Sequence, residues 1–149
     1  MVAGDHMNTS AMVRVLVLAI LIFSMIGTGA ELALLGHYED FWQWAPIVLL
    51  FFGFVATVWN AASPSRAGRR TLFAVMSLFV VAGLVGLGLH FNGNLEFERE
   101  MYPSLAGWPL IWKALRGATP ALAPGTMVYI GLLGLLAWYI SPSQTSTPS

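Results

Sequence analysis

No cysteine occurs among the 149 residues, and that absence removes whole classes of chemistry. Small membrane enzymes that pass disulfides to quinones need paired thiols, and iron–sulfur sites need several. With neither a disulfide framework nor reduced thiols, the redox compartment is not written in the chain. Charge is scarce as well: 9% of the residues are Asp, Glu, Lys or Arg, and they balance to a formal net charge of zero. A nucleic-acid partner, which needs a basic stripe to neutralise phosphates, is excluded on that ground.

What is abundant is apolar surface. Hydrophobic residues make up 57% of the chain and the mean hydropathy is +0.72, outside the range of soluble domains. The expected fold class is therefore an all-α integral membrane protein. A hydrocarbon core roughly 30 Å thick needs about 20 apolar residues at 1.5 Å each, and that ruler fits the chain four times. The expected spans are residues 12–36, 46–62, 71–91 and 125–140, a four-transmembrane-helix bundle forming one domain over 1–149. Outer loops cover 37–45 and 92–124, and an inner loop covers 63–70. The tail 141–149, rich in Ser, Thr and Pro, reads as disorder.

Lys and Arg are enriched in loops retained in the cytoplasm. Arg66, Arg69 and Arg70 in the inner loop, with Arg14 before span one, put both termini inside, against Arg99, Lys113 and Arg116 outside. Trp42, Trp44, Trp108 and Trp112, with Tyr38 and Tyr102, form the outer aromatic belt, and Trp59 and Trp138 mark the inner one. Arg14, the apolar run after it and Thr28-Gly29-Ala30 also resemble a cleavable signal. The run resumes past Glu31 through Leu35, which makes a span the preferred reading. Met7 offers an alternative start, so Asp5 and His6 carry no functional weight.

The remaining acids and histidines, Glu31, His37, Glu39, Asp40, His90, Glu96, Glu98 and Glu100, gather on or just beneath the outer face. Glu31 stands out. A carboxylate in a membrane helix costs roughly 2 to 3 kcal/mol at mid-bilayer and usually faces a partner or a cavity. It lies on the order of 8 Å below the outer end of its span, where snorkelling lessens the penalty. Gly27, Thr28 and Gly29 precede it, small enough to admit a neighbouring helix. A structural hydrogen bond competes with a proton, cation or ligand site.

His37 and His90 end spans one and three, so antiparallel packing can bring them together. With Glu39, Asp40 or Glu96 they offer ligands for a transition metal, and by themselves for haem. Neither Glu-x-x-His nor His-x-x-x-His occurs, so capping of helix ends is the plainer reading. No cofactor is the first expectation, with haem or a metal as alternatives.

The long outer loop has internal order. Asn94 suits the N-cap of a short helix through Tyr102, with Glu96 and Arg99 spaced for an i,i+3 pair and Pro103 as its end. Trp108, Ile111, Trp112 and Leu115 recur at i, i+3, i+4 and i+7, with Lys113 and Arg116 off that stripe, the pattern of a short interfacial helix. Pro109 suits its first turn and Gly117 its C-terminal cap. Within the spans, Ala82 with Gly86, Gly83 with Gly88, and Gly131 with Gly134 make smooth faces for close packing, and Asn60 and Ser77 can bond between helices. No internal repeat and no helix broken at mid-membrane suggests a repeat-built transporter.

The stretches His90-Phe91-Asn92-Gly93-Asn94-Leu95-Glu96-Phe97-Glu98 and Gly117-Ala118-Thr119-Pro120-Ala121-Leu122-Ala123-Pro124-Gly125-Thr126-Met127 carry a resemblance. Over roughly its last 60 residues the chain resembles small four-span inner-membrane proteins of bacteria, a group with no assigned activity. The resemblance implies a bacterial inner-membrane setting and gives no residue a role.

The function expected from these features is a non-enzymatic binding or accessory protein. Its acidic and aromatic extracytoplasmic cap would meet a ligand, a metal, a partner membrane protein or a second copy, with the lipid bilayer around it. The rival is a small oligomeric proton- or cation-linked transporter or channel using Glu31. A haem or metal redox protein using His37 and His90 is the third.

Overall fold

In a computed structural model of the chain, the backbone is described for residues 3–63, 65–117, 119 and 122–141, and side chains from Thr9 onward. Among these residues every regular element is a helix: α1 (Ala3–Leu34), α2 (Trp44–Ala62), α3 (Arg66–Met101), α4 (Gly107–Leu115) and α5 (Gly125–Tyr139), with a 3₁₀ turn at Phe41–Gln43. Thr9–Leu34, Phe41–Ala62 and Arg66–Met101 are long and apolar enough to cross a membrane. The helix α5 is a shorter apolar one of 15 residues. The expected disordered tail lies outside the described residues from 142 on.

The ends of the helices follow their local chemistry. Gly36, at φ +65, closes α1: His37 N–H bonds the Leu32 carbonyl at 2.9 Å and Gly36 N–H that of Ala33 at 3.2 Å. This is the paired-bond termination that a left-handed glycine allows. The Asp40 carboxylate accepts from Phe41 N–H, and Gln43 Oε1 accepts from the backbone of Glu39 and Asp40, so a capping box turns the chain into α2. Ser65 caps α3 through the Gly68 N–H at 3.0 Å.

The four apolar helices form a ring of contacts, α1 on α2, α2 on α3, α3 on α5 and α5 on α1, with α3 and α5 in the most extensive contact. The core is Leu21, Met25, Leu50, Ala56, Leu72, Met76, Phe79, Met127, Ile130 and Ala137. Outside it the large side chains face outward: Phe23 is 77% and Leu34 89% exposed. That inverted distribution suits a lipid surround, where association rests on close packing rather than on burial from water.

Glycines set the closest approach. A Cβ on Gly83 would stand 2.7 Å from Val128 N, and one on Gly131 2.8 Å from the Met76 carbonyl, so both need the bare backbone. Gly53 has the Phe79 ring at 2.7 Å from that position. Gly88, read in sequence as part of a smooth face, meets nothing within 4 Å. Asn60 of α2 donates to the Oγ of Ser141, just past the end of α5, at 3.1 Å, whereas Ser77 turns back to the Phe73 carbonyl of its own helix at 2.9 Å.

The largest departure from the sequence reading is in α3. Instead of stopping near residue 91 and restarting at an Asn94 cap, the helix runs unbroken to Met101, 36 residues and about 54 Å in all. Asn92-Gly93-Asn94 reads as a breaker. The helix passes through it because the Asn94 side chain finds all its partners elsewhere.

Candidate functional site

The C-terminal end of α3 carries Asn94 and Glu98 at i and i+4 on one face of the helix, with Tyr102 capping it one turn further. Against that face α4 lays Leu110, Lys113 and Ala114, with Leu110 and Ala114 buried. Asn94 is 3% exposed. Its Nδ2 donates to the carbonyls of Ala114 at 3.0 Å and Thr119 at 2.7 Å, and its Oδ1 accepts from Thr119 N–H at 3.2 Å and Oγ1–H at 2.6 Å. Both donors and both acceptor positions of the amide are occupied. Gly117 is required here for space rather than as a left-handed cap: a Cβ would lie 2.6 Å from Asn94 Cγ.

One turn further on, Glu98 is 6% exposed and its Oε2 lies 3.0 Å from Lys113 Nζ. The ammonium also sits 2.8 Å from the centroid of the Tyr102 ring, a cation–π contact. Desolvation acts to lower the Lys113 pKa, but bonding to Tyr102 and Glu98 outweighs it and the net direction is upward from 10.5. The amide and the ion pair thus hold α4 to α3 at two levels. The other face of α4 is left open: Trp108 is 68% and Trp112 52% exposed, their rings stacked at 6.5 Å.

Glu96, Arg99 and Glu100 are exposed on the outer surface of α3. The expected Glu96–Arg99 pair does not form among the described residues; Glu98, one turn from Asn94, takes the ion pair instead. His37 and His90 do come within electrostatic reach. Burial, and secondly the charge of His90, hold the His37 imidazole below its ordinary 6.5. His90 Nδ1 is buried without a partner. Asp40 is engaged in its cap, and Glu39 is exposed beside it. Among the described residues no three His, Asp or Glu side chains gather as a metal would require.

Glu31 is exposed. Gly27 meets nothing within 4 Å and Gly29 only Leu50 Cδ1 at 4.0 Å, so no neighbouring helix closes on the carboxylate. Trp42 and Trp44, expected as interfacial anchors, are likewise exposed. An open apolar groove between α1 and α2 is lined by Met25, Ile26, Leu50, Phe51 and Phe54 and holds no polar side chain.

Sequence reasoning passed over Asn94, Glu98 and Lys113 as a unit. The available signal was the i, i+4 relation of Asn94 and Glu98, visible only if the helix is carried through Gly93. No protein family matches the chain, and neither the curated proteins nor the solved structures contain a match to it.

Proposed function

We propose that the chain is a four-span membrane protein, with α5 as the fourth span, that acts as a non-enzymatic binding or accessory subunit through its outer cap. The observation that carries this reading is the two-level attachment of α4 to α3, which fixes a helix whose aromatic face is left uncovered. A fully bonded buried amide and an ion pair whose carboxylate is buried give a rigid platform, and rigid aromatic anchors are what a recognition surface uses. The partner we favour is another membrane protein that meets Trp108 and Trp112 at the bilayer surface.

A photo-crosslinking residue at Trp108 or Trp112, in native membranes, tests the reading. The expected result is a discrete crosslinked polypeptide, absent when the probe replaces Phe23 on α1 and weakened by Asn94→Ala. Lipid adducts alone at all three positions would remove the partner. The setting we propose is a bacterial inner membrane with both termini cytoplasmic, supported by Arg14, Arg66, Arg69 and Arg70 at one end. The cysteine-free sequence makes the orientation simple to test. Ser104→Cys should react with an impermeant maleimide on intact cells and Ser63→Cys only after permeabilisation; the reverse pattern inverts the topology.

A second reading, an oligomeric proton- or cation-linked transporter or channel, is favoured by the outward position of Glu31 beside the bare Gly27. A site on that face is completed by another copy rather than within one chain. Flux in liposomes that is unchanged by Glu31→Gln removes the residue from the mechanism, and no flux in the parent removes the class.

A further inference from the structure

The opposite end of the helices holds an unmet demand for an anion. Arg14 continues the inward stripe of α1 formed by Val17, Leu18, Leu21 and Met25, of which Leu21 and Met25 are core residues. Its Nε and Nη2 are buried and have no hydrogen-bond partner. Those two nitrogens form the edge of a guanidinium whose parallel N–H groups receive an oxyanion in two-pronged fashion. Desolvating such an edge without an acceptor is unfavourable, more so for a charged group than for a neutral one.

Among the described residues no acid is placed to fill it. Glu31, Glu39, Asp40, Glu96, Glu98 and Glu100 lie toward the other end, and Asp5 is nine residues before Arg14, about 13 Å along the helix. The described charges at this end of the bundle are positive. Arg69 at the start of α3 reaches the Ser141 carbonyl and lies 5.2 Å from the centroid of Trp138. Arg66 and Arg70 are exposed on the same turn. Asn60 Oδ1, close to this end, is also buried without a partner.

The geometry points to a phosphate-binding site at this end of the bundle, with the Nε–Nη2 edge of Arg14 as its direct contact and the arginines that open α3 as the surrounding positive field. Phosphate is the oxyanion that a bilayer supplies at the depth where a span ends, on an anionic phospholipid headgroup; inorganic phosphate offers the same chemistry from solution. A water molecule meets the hydrogen bonds of a guanidinium but not its charge, and the excess of cations here favours an anion.

The test uses the full chain in detergent, with native mass spectrometry to count bound lipid and thermal unfolding to measure stabilisation. The probes are phosphatidylglycerol, diacylglycerol with the same acyl chains, and inorganic phosphate. The site predicts retained phosphatidylglycerol adducts and little diacylglycerol. Arg14→Gln should lose the adduct about tenfold, Arg14→Lys should fall between because it keeps the charge but not the two-pronged edge, and Arg99→Gln, exposed at the other end of α3, should stay near the parent. Stabilisation by inorganic phosphate that phosphatidylglycerol does not exceed assigns the site to free phosphate, and the reverse assigns it to a headgroup. Equal retention of diacylglycerol, undiminished adducts in Arg14→Gln, or equal losses in Arg14→Gln and Arg99→Gln overturns the proposal. Circular dichroism and gel filtration show that each variant is folded, and Arg14→Lys carries the test if Arg14→Gln is not.

Discussion

Asn94 and Thr119, 25 residues apart, are joined by three hydrogen bonds: Nδ2 to the Thr119 carbonyl, and Thr119 N–H and Oγ1–H to Oδ1. A fourth bond, to the Ala114 carbonyl, makes the amide the point where α3, α4 and the following turn meet. Asn94 and Ala114 are buried and Thr119 is exposed, so the amide links the interior of the junction to its surface, and its removal would break all four bonds at once.

Asn94→Ala should therefore cost about 1 to 3 kcal/mol locally, the net loss of several hydrogen bonds worth about 1 kcal/mol or less each where water can replace them. Trypsin reads the effect directly, since Arg116 is exposed beside the network. Cleavage there should accelerate about tenfold for each 1.4 kcal/mol of lost local stability. Asn94→Asp should be nearly as harmful, because a carboxylate cannot donate to the carbonyls of Ala114 and Thr119. Parent-like cleavage in both variants would show that the cap does not depend on this amide.

The ion pair one turn away behaves differently because its two members differ in exposure: the Glu98 side chain is 8% and that of Lys113 36% exposed. Lys113→Met leaves the Glu98 carboxylate desolvated and alone, and should loosen α4 more than the double variant Glu98→Gln with Lys113→Met, which buries no charge. The raised Lys113 pKa gives the sign with pH. Its contribution is fully present below 10.5 and disappears as the pH rises through the higher value of the folded state. Equal stability of the single and double variants, measured by the same cleavage assay, would show that Glu98 is not held by Lys113.

Packing between α3 and α5 distinguishes glycines that look alike in sequence. Gly131→Ala places a methyl group 2.8 Å from the Met76 carbonyl and 2.9 Å from Val80 N, backbone atoms that cannot move aside. A loss of about 1 to 3 kcal/mol is expected. At Gly134 the neighbour is the flexible side chain of Met76, so Gly134→Ala should cost less. Gly88→Ala meets open space and should be neutral or stabilising by up to about 1 kcal/mol. Reversible unfolding in mixed micelles measures all three, and the order Gly88, Gly134, Gly131 is the expected ranking of damage.

The helices themselves were legible in the sequence because long apolar runs bounded by Arg14, Pro46, Arg70 and Pro142 leave few alternatives. Local patterns with two meanings were not. Asn92-Gly93-Asn94 has the composition of a helix start, and only the distant Thr119, which occupies the amide, lets the helix continue. Gly117 matched a cap, yet its requirement comes from Asn94 across the gap. Glu31 was expected to reach a neighbouring helix past Gly27 and Gly29, but which face of α1 turns inward is set by Leu21 and Met25, and that leaves the carboxylate outside. In each case the deciding partner is far away in sequence or is a helix register, and neither is encoded locally.

His37 gives the cap a dependence on pH whose sign is fixed by the direction of its shift. Burial first, and the charge of His90 second, keep the folded-state pKa below 6.5, so the unfolded chain takes up the proton at a higher pH than the folded one. Stability at this site is complete above 6.5 and is lost as the pH falls from there through the lower folded value. Thermal unfolding at pH 7.5 and 5.5 should show a lower Tm in acid for the parent protein. His37→Gln, which keeps a polar side chain without the titration, should reduce the difference. His90→Gln should reduce it by a smaller amount, because the charge of His90 is the lesser of the two causes. A parent Tm that rises on acidification would mean that protonated His37 gains a partner in the folded state, and would reverse the assignment of burial as the dominant influence.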